Sequence, residues 1–205
     1  MLEFDHLAIA ATDLETGVAA IEEALGVRLA PGGEHPLMGT HNRLLGLGAG
    51  EYLEVIAINP AAPAPGRPRW FALDSFAGAP RPRAWIARTA DLHGALARAP
   101  EGTGVAHAFT RAAYAWEMAV PESGLLPFDG LFPALIGWQS RAHPADVLPD
   151  TGVRLRRLIV THPEAGALRA ALAPLINDAR LAITMGAEPA LAAEFDTPHG
   201  ARVLA

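Results

Sequence analysis

Hydrophobic and polar residues alternate over residues 3–10, a pattern that predicts a β-strand with two different faces. Leu7 and Ile9 fall on one face, and we expect this apolar face to pack against a helix. His6 falls on the other face between small alanines, which leaves space beside its imidazole ring. The first strand is therefore predicted to present a histidine to a cavity.

The next segment changes to helical periodicity. Thr12 and Glu15 have the spacing of a capping box, and apolar residues then recur every three or four positions as far as Leu25. Gly26 follows directly and is a typical residue at the end of a helix. The pattern predicts a helix over about residues 13–25.

Residues 52–58, Tyr-Leu-Glu-Val-Ile-Ala-Ile, predict a strand that is buried on both faces yet carries a carboxylate in its middle. Burying a lone carboxylate is costly unless it is paired, hydrogen-bonded or bound to a metal. His6 is the best candidate partner, so we expect His6 and Glu54 to lie on neighbouring strands and share one cavity. In the alternative, Arg43 or a backbone amide holds Glu54 in a purely structural role.

The glycine-rich turn over residues 48–50 determines which residues of the preceding strand face Glu54. A three-residue turn sets Asn42 on the Glu54 face, whereas a two-residue turn sets Arg43 there together with His41. Either Asn42 or the pair of His41 and Arg43 is therefore predicted to line the cavity.

The β-α-β-β-β pattern of residues 1–58 recurs further along the chain. A proline-rich connector follows over residues 59–82, and its first part, 59–68, is expected to be extended and irregular. A second, degenerate unit covers residues 83–140 and a third covers 150–205. The pattern predicts an α+β fold made of repeated βαβββ modules that form one globular unit.

Composition narrows the possible functions. A net charge of −6 argues against a general nucleic-acid-binding protein, and no apolar run approaches the ~18 residues of a membrane-spanning helix. All 16 basic residues are arginine, which excludes a Schiff-base lysine, and the lack of cysteine excludes thiolate sites. The chain also opens on a strand pattern instead of a signal peptide. These features suit a cytoplasmic protein.

The chain carries a series of residues and motifs that occur in the same order in a known protein family. They are Asp5-His6-Leu7, Asp13, Leu25-Gly26-Val27, Gly39 to Leu44, Tyr52 to Ala57, Pro65 to Trp70, Trp138 and His143-Pro144. In this set the chain resembles the glyoxalase-like domain family of the vicinal oxygen chelate superfamily. The likeness is strong over residues 4–71 and looser over 132–144. It implies paired modules in a half-open, mixed-sheet barrel around a divalent metal, with helices on the outer face.

The resemblance also implies metal ligands, one histidine and one glutamate from each of two modules. His6 and Glu54 match the first pair, for which Zn, Mn, Fe and Ni are the candidate metals. The second pair is missing, because the position equivalent to His6 falls on Arg83 or Ala84 and no usual ligand stands at the position equivalent to Glu54. A bound divalent metal and no cofactor at all both stay open.

Two functions are consistent with these residues. The first is a metal-dependent isomerase, lyase or dioxygenase that acts on a small oxygen-bearing metabolite, with Glu54 and His41 as the catalytic candidates. The second is a metal-free protein of the same fold that binds a small molecule. The sequence leaves the oligomeric state open, with a homodimer as one option, and His35 is expected in a surface turn. The candidate ligand-binding residues are Asn42, Arg43, Trp138 and His143.

Overall fold

The structure is a computed structural model that describes all 205 residues. Its first unit consists of β1 (Glu3–Ala10), α1 (Leu14–Leu25), β2 (Ala30–His35), β3 (Thr40–Gly48) and β4 (Glu51–Ile58). The predicted βαβββ order over residues 3–58 is confirmed.

The first helix begins one residue after the predicted start, because its N-cap is Asp13 and not Thr12. The Asp13 carboxylate accepts a hydrogen bond from the backbone N–H of Thr16 at 2.8 Å, which satisfies one of the free donors of the first turn. Gly26 ends α1 with a φ of 72°, the left-handed conformation that glycine adopts without strain.

The same order of elements occurs twice more. The second unit consists of β5 (Arg81–Arg88), α2 (Leu92–Leu96), β6 (Val105–Arg111), β7 (Tyr114–Val120) and β8 (Ala134–Trp138). The third consists of β9 (Arg154–His162), α3 (Ala165–Leu172), β10 (Leu181–Met185), β11 (Ala190–Thr197) and β12 (Gly200–Leu204). None of the three helices is both long and apolar enough to cross a membrane.

The first two units share one eight-stranded sheet of order β2-β3-β4-β1-β5-β8-β7-β6. In each unit the first strand pairs in parallel with the last, β1 with β4 and β5 with β8, and the antiparallel pair of β1 and β5 joins the units. The sheet is mixed and curls into a half-barrel, in agreement with the predicted α+β fold of repeated βαβββ modules.

The third unit has the same order of elements but a different strand pairing. Its four-stranded sheet has the order β10-β9-β11-β12, so the first strand, β9, pairs in parallel with the strand that follows α3 and not with the last strand. Leu158, Val160 and Phe195 of this sheet are buried in the same core as Leu7 and Trp85 of the large sheet. The third unit therefore covers one face of the large sheet.

The other face of the large sheet is concave and holds a separate aromatic core. Leu7 and Ile9 of β1 point to the helix side, whereas Ala8 and Ala10 belong to the concave side, as the alternation predicts. The connector reaches this side too. Residues 59–68 contain no helix or strand, as predicted, and a short 3₁₀ helix, Trp70–Ser75, then buries Trp70 and Phe71 in the aromatic core.

Candidate functional site

A cavity opens on the concave side of the large sheet. About 380 Å³ within it is free of protein atoms, part of it open solvent, and about 30 Å³ is accessible to the centre of a water-sized molecule. Its apolar wall includes Trp70, Trp116 and Trp138. The polar side chains of the wall are His6, His35, Asn42, Tyr52, Glu54 and Arg111.

His6 and Glu54 lie in this cavity as a pair. They extend from the neighbouring parallel strands β1 and β4, and Nε2 of His6 lies 3.6 Å from Oε1 of Glu54. The other oxygen of Glu54 accepts a hydrogen bond from Nδ2 of Asn42 at 2.7 Å. The prediction that His6 and Glu54 share a cavity is confirmed, and Arg43 does not hold Glu54, because Arg43 is exposed and donates to a backbone carbonyl.

Asp5 is the residue that the sequence pattern missed. It is fully buried, and its Oδ1 accepts a hydrogen bond from Nδ1 of His6 at 2.6 Å. Strict alternation sets Asp5 on the helix side with Leu7. The register between β1 and β5 instead shifts between Phe4 and His6, and such a bulge lets two consecutive side chains lie on the same face. In the sequence, the only indication of a role for Asp5 in the site was a charged residue within an apolar strand face.

The second carboxylate oxygen of Asp5 connects the pair of Asp5 and His6 to residues at and after the end of β8. Oδ2 accepts hydrogen bonds from Nε1 of Trp138 at 3.0 Å and from Nε2 of His143 at 3.2 Å. Trp138 lines the cavity as predicted. His143 stands behind the wall instead, where its ring packs against Trp138 and its Nδ1 accepts from the N–H of Ala145. His143 therefore supports the site through Asp5.

These contacts determine the charges of the three groups. Burial raises the pKa of Asp5, but hydrogen bonds from His143 and His6 outweigh it and leave this pKa well below its usual range. Burial lowers the pKa of His6, but the hydrogen bond to Asp5 and the nearby Glu54 carboxylate raise it to about 9. Burial also raises the pKa of Glu54, and His6 more than offsets this, so the net shift is downward. At neutral pH the three groups are carboxylate, imidazolium and carboxylate.

His41 and Arg43 do not reach the cavity. The turn between β3 and β4 has two residues, Ala49 and Gly50, but a bulge at Leu47 adds one residue to β3. Leu44 therefore pairs with Glu54, and Asn42 is the residue that shares its face. This corrects the catalytic role expected for His41 and the binding role expected for Arg43, since both side chains project from the opposite face of β3.

His35 corrects a further expectation, because it is buried in the cavity wall and not exposed in a turn. Its Nδ1 donates to the Thr40 hydroxyl at 3.1 Å, and its Nε2 accepts from Nη1 of Arg111 at 3.0 Å. Burial, followed by the charge of Arg111, lowers the pKa of His35 to about 4 although Glu54 opposes this shift. His35 is therefore neutral at physiological pH.

The residues present do not fit a resident divalent metal. His6 and Glu54 offer two donors, whereas catalytic zinc sites use three protein ligands. From the facing strands β5 and β8, the concave core contains Ala84, Ile86, Ala134 and Ile136, none of which can bind a metal through its side chain. No group of three or more His, Cys, Asp or Glu side chains is placed to hold a metal ion.

Fold and site together define a class: a protein of the vicinal oxygen chelate fold with a cavity on the concave side of the sheet that two βαβββ modules form. Within this class the chain belongs to the family described as "Glyoxalase-like domain", whose family model matches residues 4–176. Among curated proteins, none matches the chain significantly.

Several solved structures are similar to this chain at low sequence identity. A hypothetical protein from Staphylococcus aureus matches with a TM-score of 0.63 and 12% identity, over 92% of this chain and 88% of its own. The methylmalonyl-CoA epimerase from Mycobacterium tuberculosis matches with a TM-score of 0.44 and 17% identity, over 68% of this chain and 88% of its own. A Streptomyces coelicolor methylmalonyl-CoA epimerase matches with a TM-score of 0.45 and 13% identity, over 68% of this chain and 95% of its own.

Proposed function

We propose that this glyoxalase-like chain is an enzyme that moves a proton on a small oxygen-bearing metabolite, in an isomerase or lyase reaction. The observation that carries the proposal is the buried pair of His6 and Glu54 in the cavity wall, with Asp5 hydrogen-bonded to His6 from behind the wall. Three charged groups are costly to bury, and such clusters are found preferentially at functional sites.

Each group has a defined part in such a reaction. Asp5 holds Nδ1 of His6, so that Nε2 is directed to Glu54 at the cavity wall. Oε1 of Glu54 accepts no hydrogen bond, because Asn42 donates to Oε2 and Nε2 of His6 lies 3.6 Å from Oε1. Glu54 would accept a proton from a carbon next to a carbonyl group, and the imidazolium of His6 would donate a hydrogen bond to the oxyanion that forms. Return of the proton from Glu54 to carbon would complete an isomerisation.

The second candidate is a metal-free binding protein, and the three tryptophans of the cavity wall favour it. Trp70, Trp116 and Trp138 offer flat apolar surface for a bound ring or alkyl group. In this case Glu54 and His6 would only orient the ligand through hydrogen bonds. The two candidates differ in whether a bound ligand exchanges its carbon-bound protons.

Hydrogen exchange in D₂O tests the proposal. Purified protein would be incubated with small 2-keto and 2-hydroxy acids, and loss of the signals of carbon-bound protons next to the carbonyl group would be followed by NMR. We expect exchange with the wild type and a rate about 100-fold lower for Glu54→Gln, the lower end of the usual contribution of a general base. Glu23→Gln, an exposed carboxylate on α1, is the control and should exchange at the wild-type rate.

Two results would contradict the proposal that the protein is an enzyme. Equal exchange by wild type and Glu54→Gln would remove Glu54 as the base. Binding of these acids without exchange would leave the binding protein as the function.

A further inference from the structure

Arg111, the last residue of β6, lines the cavity without a carboxylate partner. Its one hydrogen bond runs from Nη1 to Nε2 of neutral His35 at 3.0 Å, and its guanidinium lies 5.7 Å from the ring centre of Tyr114. A guanidinium has five N–H donors. Most donors of Arg111 are therefore free to bind a ligand.

The fold makes room for this side chain. A Cβ atom at Gly33 would come within 2.8 Å of Cδ of Arg111, so the arginine side chain would have to shift if a larger residue stood at this point of β2. The N–H of Gly33 in turn donates to Oδ1 of Asn42 at 2.8 Å. The same Asn42 donates to Glu54, so the elements that position the arginine and the carboxylate are connected.

Trp70 gives a second, independent observation. Its side chain lines the same cavity and is 4% exposed, yet its indole N–H has no hydrogen-bond acceptor in the protein. Buried donors are nearly always paired. The Trp70 ring packs edge-on against the ring of His35, the hydrogen-bond partner of Arg111, so the unpaired donor belongs to the same part of the cavity wall.

The charged groups of the cavity wall differ in their partners. His6 and Glu54 form a pair of opposite charge, and Asn42 also donates to Glu54. Arg111 is the only arginine of the wall, and no carboxylate lies within ion-pair distance of its guanidinium. Arg111 is therefore the group of the wall that can pair with an anionic group of a ligand.

We propose that Arg111 binds the carboxylate of the substrate, so that the cavity selects small monocarboxylates with an apolar body. The planar fork of a guanidinium matches a carboxylate with two parallel hydrogen bonds. A single arginine in a largely apolar wall suits a singly charged group better than a phosphate. This inference rests on the proposed function, because it names the substrate class of the same cavity.

Binding of matched charged and neutral probes tests the inference. The probes are lactate with lactamide and mandelate with mandelamide, pairs in which an amide of similar shape replaces the carboxylate. Dissociation constants would be measured by NMR titration up to the solubility limit. We expect the wild type to bind at least one acid about 10-fold more tightly than its amide, a difference typical of one charge-assisted contact. Arg111→Gln should abolish this preference and Arg111→Lys should restore part of it.

Arg157→Gln, which removes an exposed arginine on β9, is the matched control and should keep the wild-type preference. Equal affinity for acid and amide in the wild type, no binding of either acid, or an unchanged preference in Arg111→Gln would each overturn the inference. Failure of the proposed function gives a different result. In that case the acids bind through Arg111, while Glu54→Gln leaves their proton exchange unchanged.

Discussion

Asp5 connects more parts of the site than any other single residue, because its two oxygens hold His6, Trp138 and His143. These groups come from β1, from the end of β8 and from the loop that follows it. An amide in place of the carboxylate would keep the size of the side chain but leave the imidazolium of His6 without its closest anion.

We therefore predict that Asp5→Asn lowers the free energy of unfolding by about 3 kcal/mol, the usual cost of breaking a buried ion pair from one side. Urea denaturation would measure this change. Asp13→Asn is the control, since asparagine caps a helix as well as aspartate does, and its stability should stay within about 0.5 kcal/mol of the wild type. An Asp5→Asn protein as stable as the wild type would show that the Asp5–His6 pair contributes nothing to the fold.

The residues of the site differ in how far the sequence could predict them. His6 and Glu54 were predictable, because each is a polar residue within an otherwise apolar strand and each requires a partner. Asp5 was not, since its position on the cavity side depends on a bulge between β1 and β5 that alternation does not show. Arg111 and Trp70 come from β6 and the connector, and only the closed sheet brings them to β1 and β4.

The register of single strands was also only partly predictable from the sequence. The sequence allowed two registers for the β3–β4 hairpin, because turn length and bulges have the same effect on which face a residue takes. The bulge at Leu47 decides the register in favour of Asn42. The helices were easier to predict, because their caps and apolar stripes are local signals.

Helix α1 packs so closely on β4 that there is no room for a side chain at one of its glycines. A Cβ atom at Gly17 would come within 2.7 Å of Cγ1 of Val55 and 2.6 Å of Cβ of Ala11, whereas Gly166 in α3 has open space around it. Both glycines lie in helices, where alanine is intrinsically better by about 1 kcal/mol. The two sites therefore form a matched pair.

We predict that Gly17→Ala destabilises the protein by about 1–3 kcal/mol, because the added methyl group overpacks the contact between α1 and β4. Gly166→Ala should raise the stability by up to about 1 kcal/mol. Thermal or urea unfolding of the two variants would measure both changes. A stabilised Gly17→Ala protein would mean that α1 sits further from β4 than the structure places it.

At the scale of the whole molecule, the order of elements was easier to predict than their pairing. The three β-α-β-β-β patterns are local, and each is present. The pairing of β9 with β10 and the burial of the third sheet against the first two units depend on contacts between residues far apart in the chain. The sequence pattern is the same for the strand pairing of the first two units and for the different pairing of the third unit.

Two buried histidines also give the whole molecule opposite responses to pH. The pKa of His35 falls from 6.5 to about 4 on folding, mainly through burial, so between these values the unfolded chain binds a proton that the folded chain does not. His35 therefore contributes stability above pH 6.5 that is lost as the pH falls towards 4. The pKa of His6 rises to about 9, so its contribution is complete below pH 6.5 and is lost as the pH rises through 9.

We predict a maximum of the unfolding free energy near pH 6.5, measured by urea denaturation over a pH series. A shift of this size at His35 corresponds to about 3 kcal/mol between pH 6.5 and 4, so His35→Gln should flatten the acid side of the profile by up to that amount. His93→Gln, an exposed histidine on α2, should leave the profile unchanged. If His35→Gln keeps the full acid slope, carboxylates such as Asp5 and Glu54 carry that slope, and the buried His35 is not its source.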